Sequence, residues 1–416
     1  MSTLKTNNVQ VGQSVTATNN FTLYQPSTPD GTVRLGVGNS GSTTLDALTV
    51  NNAGNLSLPS LTVNSNNISA VNSMGFRNRI INGDMRIDQR NAGAAVTAND
   101  ALPVDRFRLS FGNSSGAFSG QQTTTAPAGF VNSLKYTTTT ADASLGATEY
   151  ATLYQVIEGL NVADLAWGTA SAATVTLSFW CRSSQTGTFG GALRNSNGTR
   201  SYPFSYSISV ANTWEQKSVT IAGDTSGTWL TTNGIGVYIN WSMGAGSTLS
   251  ETAGAWAAGN YIGVTDAVNL IATLNADFYI TGVQLEAGSV ATPFERRDYG
   301  RELIMCQRYY YRISPASGDL FSVASAASTT AFAGYGSFPV TMRTSPTALE
   351  QSGTAANYAW NGTTSVACNS VPVFSARSSE FNFQVAYTVA SGLTAGHAGS
   401  AISNNAAAYL AWSAEL

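Results

Sequence analysis

FYITGVQLEAGSVATPFERRDYGRELIMCQRYYYR, residues Phe278 to Arg312, is where one kind of chain stops and another starts. Phe278 and Ile280 share one parity, after which the apolar positions move to Val283 and Leu285. The change of face falls on Gly282, so a strand that turns a corner through a bulge is expected there. Thr292-Pro293-Phe294-Glu295 then offers a helix start, with a capping hydroxyl, a proline at the first helical position and an acid three residues after the cap. Asp298 is a second candidate cap. Leu303, Cys306 and Tyr310 recur at spacings of three and four among Arg301, Glu302 and Arg308, the pattern of a short amphipathic helix. Sheet passes to helix here, and a separate core is expected on each side.

Upstream, from Phe76 to about Glu295, strand follows strand. Val175, Leu177, Phe179 and Cys181 alternate with polar or oppositely facing neighbours; Ile235, Val237, Ile239 and Trp241 alternate with Gly236, Tyr238 and Asn240; Phe107, Leu109 and Phe111 alternate with Arg106, Arg108 and Ser110. Period two with one apolar side is what a half-buried antiparallel strand requires. Tyr154 to Trp167 has room for one helical turn. Downstream, residues 313–416 read as a smaller β domain with strands at Phe338–Pro346, Val371–Phe374, Phe381–Tyr387 and Ala408–Trp412.

The first 75 residues are poor in aromatics and rich in Asn, Ser, Thr and Gly. Two short strands around a Pro29-Asp30-Gly31 turn come first. Leu48-Thr-Val-Asn-Asn then recurs as Leu61-Thr-Val-Asn-Ser, thirteen residues on, within short alternating bursts broken by Gly54 and Pro59. Each burst is too small to cover its own apolar face, and ordering it costs about 1 to 2 kcal/mol of backbone entropy per residue. Three chains wound about one axis remove that difficulty; a disordered linker is the competing reading.

Of the 416 residues only 10% are charged, well below the usual share of about 25%. The net charge of −3 and pI near 5.2 give no basic face for nucleic acid. Cys181, Cys306 and Cys368 are odd in number and far apart, which argues for buried thiols rather than a disulfide scaffold or metal knuckle. No run approaches the ~20 apolar residues of a spanning helix, so no membrane insertion is expected. Met1 to Gln10 is polar and lacks the apolar stretch of a secretory signal.

Together with FRNRIINGDMRIDQRN, residues Phe76 to Asn91, the stretch quoted first resembles the paired signature that brackets a jelly-roll domain in tail fibre proteins of bacteriophages, cyanophages among them. The resemblance spans Phe76 to Arg312. It implies a virion surface protein that is homotrimeric, docks to the tail or baseplate through its N-terminus and attaches to the host at the far end. Absence of an export signal fits release by host lysis.

Candidate chemistry is sparse. Asp84 and Asp88 are available as metal or sugar ligands, yet the surrounding Arg77, Arg79, Arg86 and Arg90 favour structural ion pairs at the entry to the sandwich. His397, the only histidine, has no partner acid or nucleophile nearby in sequence. A glycosidase pair is open to Glu149, Glu158, Asp164, Glu251 and Asp266, whose spacing selects no two of them. Glycan binding needs only flat rings with amides and hydroxyls beside them. Tyr358 and Trp360, between Asn357 and Asn361, are the first candidates; Trp256 and Tyr261 are the second, and ordinary packing competes for each pair. Tyr309, Tyr310 and Tyr311 are expected at the hinge and trimer axis.

The expected molecule is therefore an all-β trimeric fibre without cofactor, metal or catalytic residues. Its parts are a virion-attachment segment (1–40), a β-rich shaft (41–75), an antiparallel jelly-roll sandwich (76–295), a linking helix (296–312) and a C-terminal β tip (313–416). The expected function is attachment of the virion to host surface polysaccharide. A tailspike-type depolymerase, or a structural segment carrying a separate receptor-binding protein, are the alternatives.

Overall fold

The computed structural model describes residues 77–112 and 115–416 and, before them, Thr16, Gln25 and the segments 8–11, 21–24, 32–39, 42–51, 56–57, 61–63 and 66–68. It divides into two compact units, 1–75 and 76–416. The architecture is all-β with one short α-helix among the described residues.

In the first unit, strands Asn8–Val11, Phe21–Tyr24, Thr32–Asn39, Ser42–Asn51 and Leu56–Ser57 form one antiparallel sheet in sequence order. Thr32–Asn39 and Ser42–Asn51 pair antiparallel on either side of the expected division at residue 40. The repeated Leu-Thr-Val motif lies once in that hairpin and once in the separate pair Leu61–Val63 and Asn66–Ile68. The Pro29-Asp30-Gly31 turn lies outside the described residues. Phe21, Leu23 and Val33 share one face of the sheet and stay 43%, 44% and 46% exposed, so this face has no cover within the described chain.

The sandwich of the second unit follows from the alternation. One sheet has the order Glu215–Ile221, Val175–Ser183, Asp277–Ala287, Ser133–Thr140, Ala117–Thr123; the other runs Ala257–Ala258, Arg200–Ile208, Gly187–Arg194, Ile235–Ala245, Tyr150–Glu158, Phe107–Gly112. Every pairing in both is antiparallel, and the chain crosses repeatedly between sheets, the jelly-roll arrangement. Val237, Ile239, Trp241 and Met243 point inward from one sheet to meet Leu177, Phe179 and Ile280 from the other; the Phe179 and Trp241 rings meet edge to face at 5.7 Å. The bulge in Asp277–Ala287 is present. Ser178 pairs with Gln284 and Trp180 with Thr281, leaving Gly282 and Val283 together opposite Phe179. Gly282 has φ +61°, and a β-carbon there would lie 2.7 Å from the Phe130 ring. The Tyr154 to Trp167 stretch is strand to Glu158, followed by two 3₁₀ turns.

The α-helix is Tyr299–Gln307, shorter than the expected 296–312, and Asp298 is its cap, accepting from the Arg301 N–H. Thr292 does not start it, because its hydroxyl donates to Glu286 while Glu295 accepts the N–H groups of Arg77 and Asn78. Glu302, one of the polar residues between the apolar positions of that pattern, is buried and accepts from the Asn82 N–H and from Arg297. Tyr310–Ile313 is already strand; it pairs with Leu410–Ser413, which pairs with Glu350–Gln351.

The remaining seven strands form a second sheet in the order Ser365–Ala367, Tyr358–Asn361, Ala398–Ser403, Leu320–Ala326, Ala331–Ser337, Asn382–Thr388, Val373–Phe374. Phe338–Pro346 is not a strand: Pro339 and Pro346 cannot donate to a ladder, and Phe338 instead anchors the core. Beside the two large cores there is a third, small cluster of Ile81, Ile87, Cys306 and Tyr309.

Around that cluster runs a seam of buried charge. Glu158 accepts from both Nε and Nη2 of Arg308, at 2.9 and 2.6 Å, and from the Tyr309 hydroxyl at 2.6 Å. Arg106 pairs with Glu415, donates to the Val156 carbonyl and lies over the Tyr309 ring; Arg90 lies over Tyr310 and reaches the same Glu415. Tyr309 and Tyr310 are thus hinge residues within one chain, while Tyr311 stacks on Trp412. Asp84 pairs with Arg86, whereas Asp88 binds backbone N–H groups of Asn91 and Gly93 instead of an arginine.

Gly282→Ala should destabilise the chain by more than ~1 kcal/mol in urea unfolding, because φ is positive and the space is filled; an unchanged midpoint contradicts the bulge geometry. Burial lifts the Asp105 carboxyl from 3.8 to about 6 despite the nearby Arg90 and bonds from Gln89. A raised carboxyl holds its proton longer in the folded chain, so its contribution is full below the unfolded value and is lost as pH rises through the folded one, by roughly 3 kcal/mol at most. The stability of wild type relative to Asp105→Asn should accordingly decline from pH 4 to 7, and a flat difference refutes this.

Candidate functional site

The outward face of the six-stranded sheet is built by register. Thr152 sits opposite Ser110 on one side and Ser242 on the other; Tyr154 lies between Arg108 and Asn240; Tyr238 lies between Val156 and Arg194. Because the core takes Leu153, Ile239 and Trp241, the intervening residues must face outward together. Loops carrying Asp100, Asn197 and Asn260 wall this face into a cleft of about 370 Å³. Asn195, a buried residue of the lining, fixes the 195–199 turn by accepting from the N–H groups of Thr199 and Arg200 and donating to the Thr228 carbonyl.

Two half-buried tyrosines lie across the floor, their ring centres 5.9 Å apart and tilted by 52°. The Tyr154 hydroxyl donates to Asp100 at 3.4 Å, and burial pushes its pKa up, so it stays a neutral donor. The Arg194 guanidinium stands over the Tyr238 ring at 4.9 Å and donates to the side-chain oxygens of Asn240, at 3.3 Å, and Asn260. Burial lowers the Arg194 pKa while Tyr238 and Tyr154 raise it, and it remains a cation at neutral pH. Ring faces, amides and hydroxyls in one concave site suit a polyhydroxylated ring. The lining holds a single carboxylate, Asp100, whereas glycoside hydrolysis in its common form needs two.

The residues singled out from sequence lie elsewhere. Tyr358 and Trp360 are 0% and 3% exposed, on a strand inside the C-terminal core, so they are not sugar platforms. The Tyr358 hydroxyl donates to the Tyr409 carbonyl at 2.6 Å, the mark of a structural phenol. Trp256 is half-buried among Trp167, Trp229 and Tyr202, with centroids 5.3 to 5.5 Å away, and its N–H donates to the Ala222 carbonyl. Tyr261 is half-buried and outside that cluster, although its neighbours Asn260 and Ile262 line the cleft. Glu158 and Asp164 are held by Arg308 and Arg79, and neither they nor Glu149, Glu251 or Asp266 lines the cleft. His397 is exposed. All three cysteines are free and buried, and among the described residues no group of three or more His, Cys, Asp or Glu is placed to hold a metal ion. No helix among the described residues is long and apolar enough to cross a membrane.

No protein-family model matches the chain, and no curated protein matches it in sequence. Several solved structures are similar over about half of it. The enzymatically active domain of tailspike protein 4 from bacteriophage CBA120 is 14% identical, with 51% of this chain and 21% of that one covered at a TM-score of 0.28. The chain thus spans about a fifth of that tailspike structure. A family 11 carbohydrate-binding module from Clostridium thermocellum, solved with a mixed-linked tetrasaccharide, is 13% identical, with coverage of 49% and 100% and a TM-score of 0.24. A xylan-binding domain from Paenibacillus barcinonensis is 11% identical, with coverage of 49% and 99% and a TM-score of 0.24. Overlaps of this extent leave the reading of the cleft to its own residues.

Core and cleft aromatics should separate in denaturation experiments. Trp360→Ala should cost about 3 to 5 kcal/mol, as expected for emptying a packed core position, and Tyr238→Ala less than half as much. Equal losses contradict this assignment.

Proposed function

We propose that the chain is a non-catalytic glycan-binding subunit of a bacteriophage tail fibre, and that it attaches the virion to host surface polysaccharide through the cleft on the six-stranded sheet. The observation that carries this is the cleft itself: paired tyrosine faces flanked by Arg194, Asn240 and Asn260 on a rigid sheet. A single lining carboxylate favours binding over hydrolysis. The adhesive surface is thereby moved from the C-terminal part, whose candidate rings are core, to the jelly roll.

Docking to a tail or baseplate protein is assigned to the N-terminal unit. The open face of Phe21, Leu23 and Val33 supports homotrimeric assembly, since burying a large apolar side chain contributes about 1.5 to 3 kcal/mol. Clustered copies on a virion would raise avidity far above a weak single site.

Excess soluble full-length chain should block phage adsorption, and a Tyr154→Ala/Tyr238→Ala double variant that remains folded should not. Wild-type chain incubated with host capsule or lipopolysaccharide should release no new reducing ends. Reducing ends would establish a depolymerase, and equal blocking by both proteins would remove the cleft from adhesion. Light scattering should return three times the 43.4 kDa chain mass; a monomer rules out the fibre assembly.

A further inference from the structure

Several arginines in the second unit are met by acids: Arg79 by Asp164, Arg90 and Arg106 by Glu415, Arg200 by Asp224, Arg308 by Glu158. Others, such as Arg182, Arg312 and Arg343, meet rings or carbonyl oxygens instead. Arg194 is of this second kind, and it lines the cleft. Its described partners are two amide oxygens and the face of Tyr238, its Nε–H is buried without a partner, and no described carboxylate pairs with it. A cation withdrawn from water gains little from amide dipoles alone, and an Arg presents its remaining N–H groups as a planar fork matched to a carboxylate. The cleft's own acid, Asp100, is engaged by Tyr154 at the other end of the tyrosine pair. The floor is therefore polar in one direction, with a cation at the Arg194 end, an acid at the Asp100 end, and two ring faces between them.

We infer that the cleft selects glycans bearing a carboxylate, whose acid group lies against Arg194 while a sugar ring covers the Tyr154 and Tyr238 faces. This rests on the glycan-binding reading above and narrows it to acidic polysaccharide, such as one containing uronic or keto-acid sugars. Asn260 and Asn240 hold the guanidinium in place for that contact, and Asp100 disfavours the reversed orientation.

The test is a printed panel of bacterial polysaccharides containing acidic members, the same members after carboxyl reduction, and neutral polymers. It is probed with the full chain and with Arg194→Gln, Arg194→Lys and Tyr238→Ala. Binding should favour the acidic members over their reduced forms. It should fall roughly tenfold or more in Arg194→Gln, the size of a charge-assisted hydrogen bond, fall less in Arg194→Lys, and be lost in Tyr238→Ala. Binding of neutral or reduced polymers at equal strength, lost in Tyr238→Ala but unchanged in Arg194→Gln, overturns the acid selectivity and leaves the glycan cleft standing. Absence of any binding that depends on Tyr238 overturns both. Circular dichroism of each variant keeps misfolding from being mistaken for either result.

Discussion

Buried charge cannot be left alone, and that constraint organises residues 77–416. Glu158 is almost fully enclosed, so Arg308 and Tyr309 must come to it; Arg106 is enclosed, so Glu415 must come to it. These partners lie on the sandwich, the hinge and the last strand, and each pairing fixes one segment against another. Replacing such pairs with apolar groups is often neutral for stability, whereas removing one partner is not. The seam is better understood as specifying an arrangement than as adding to its strength.

The same constraint explains how a chain with so few ions uses them. The outer surface is made polar by hydroxyls and amides, while Glu158, Glu302, Arg106 and Arg297 are committed to the interior. Arg297 alone ties the Ile80 and Asn78 carbonyls to Glu302, so the segment after Phe76 and the segment before the helix are held by one guanidinium. The two segments therefore belong together in the fold: each completes the other's hydrogen bonds.

Much of this was legible in sequence, and the failures have identifiable causes. Alternation located Val175–Ser183, Ile235–Ala245 and Phe107–Gly112, and the break in parity at Gly282 located the bulge. Thr292 and Glu295 mimic a capping pair because the rule is local, whereas the partner of Glu295 is 217 residues away at Asn78. Leu320–Ala326 and Ala331–Ser337 carry little signal in the sequence because Ala, Ser and Gly dilute their alternation. Tyr358 and Trp360 are flanked by asparagines in sequence, as exposed rings would be, yet lie on a buried strand. The cleft residues were visible all along as the polar parity of strands already identified, Tyr238 and Asn240 among them; sequence does not show that two other strands bring Tyr154 and Arg194 beside them.

Asp277–Ala287 is the last sandwich strand in sequence and the middle strand of its sheet, between Val175–Ser183 and Ser133–Thr140. During synthesis those neighbours must wait, with unpaired edges, for the piece that joins them. A ribosome-bound chain that stops short of Ala287 therefore presents two sticky half-sheets rather than a smaller folded domain, which makes the nascent polypeptide a natural client for chaperones.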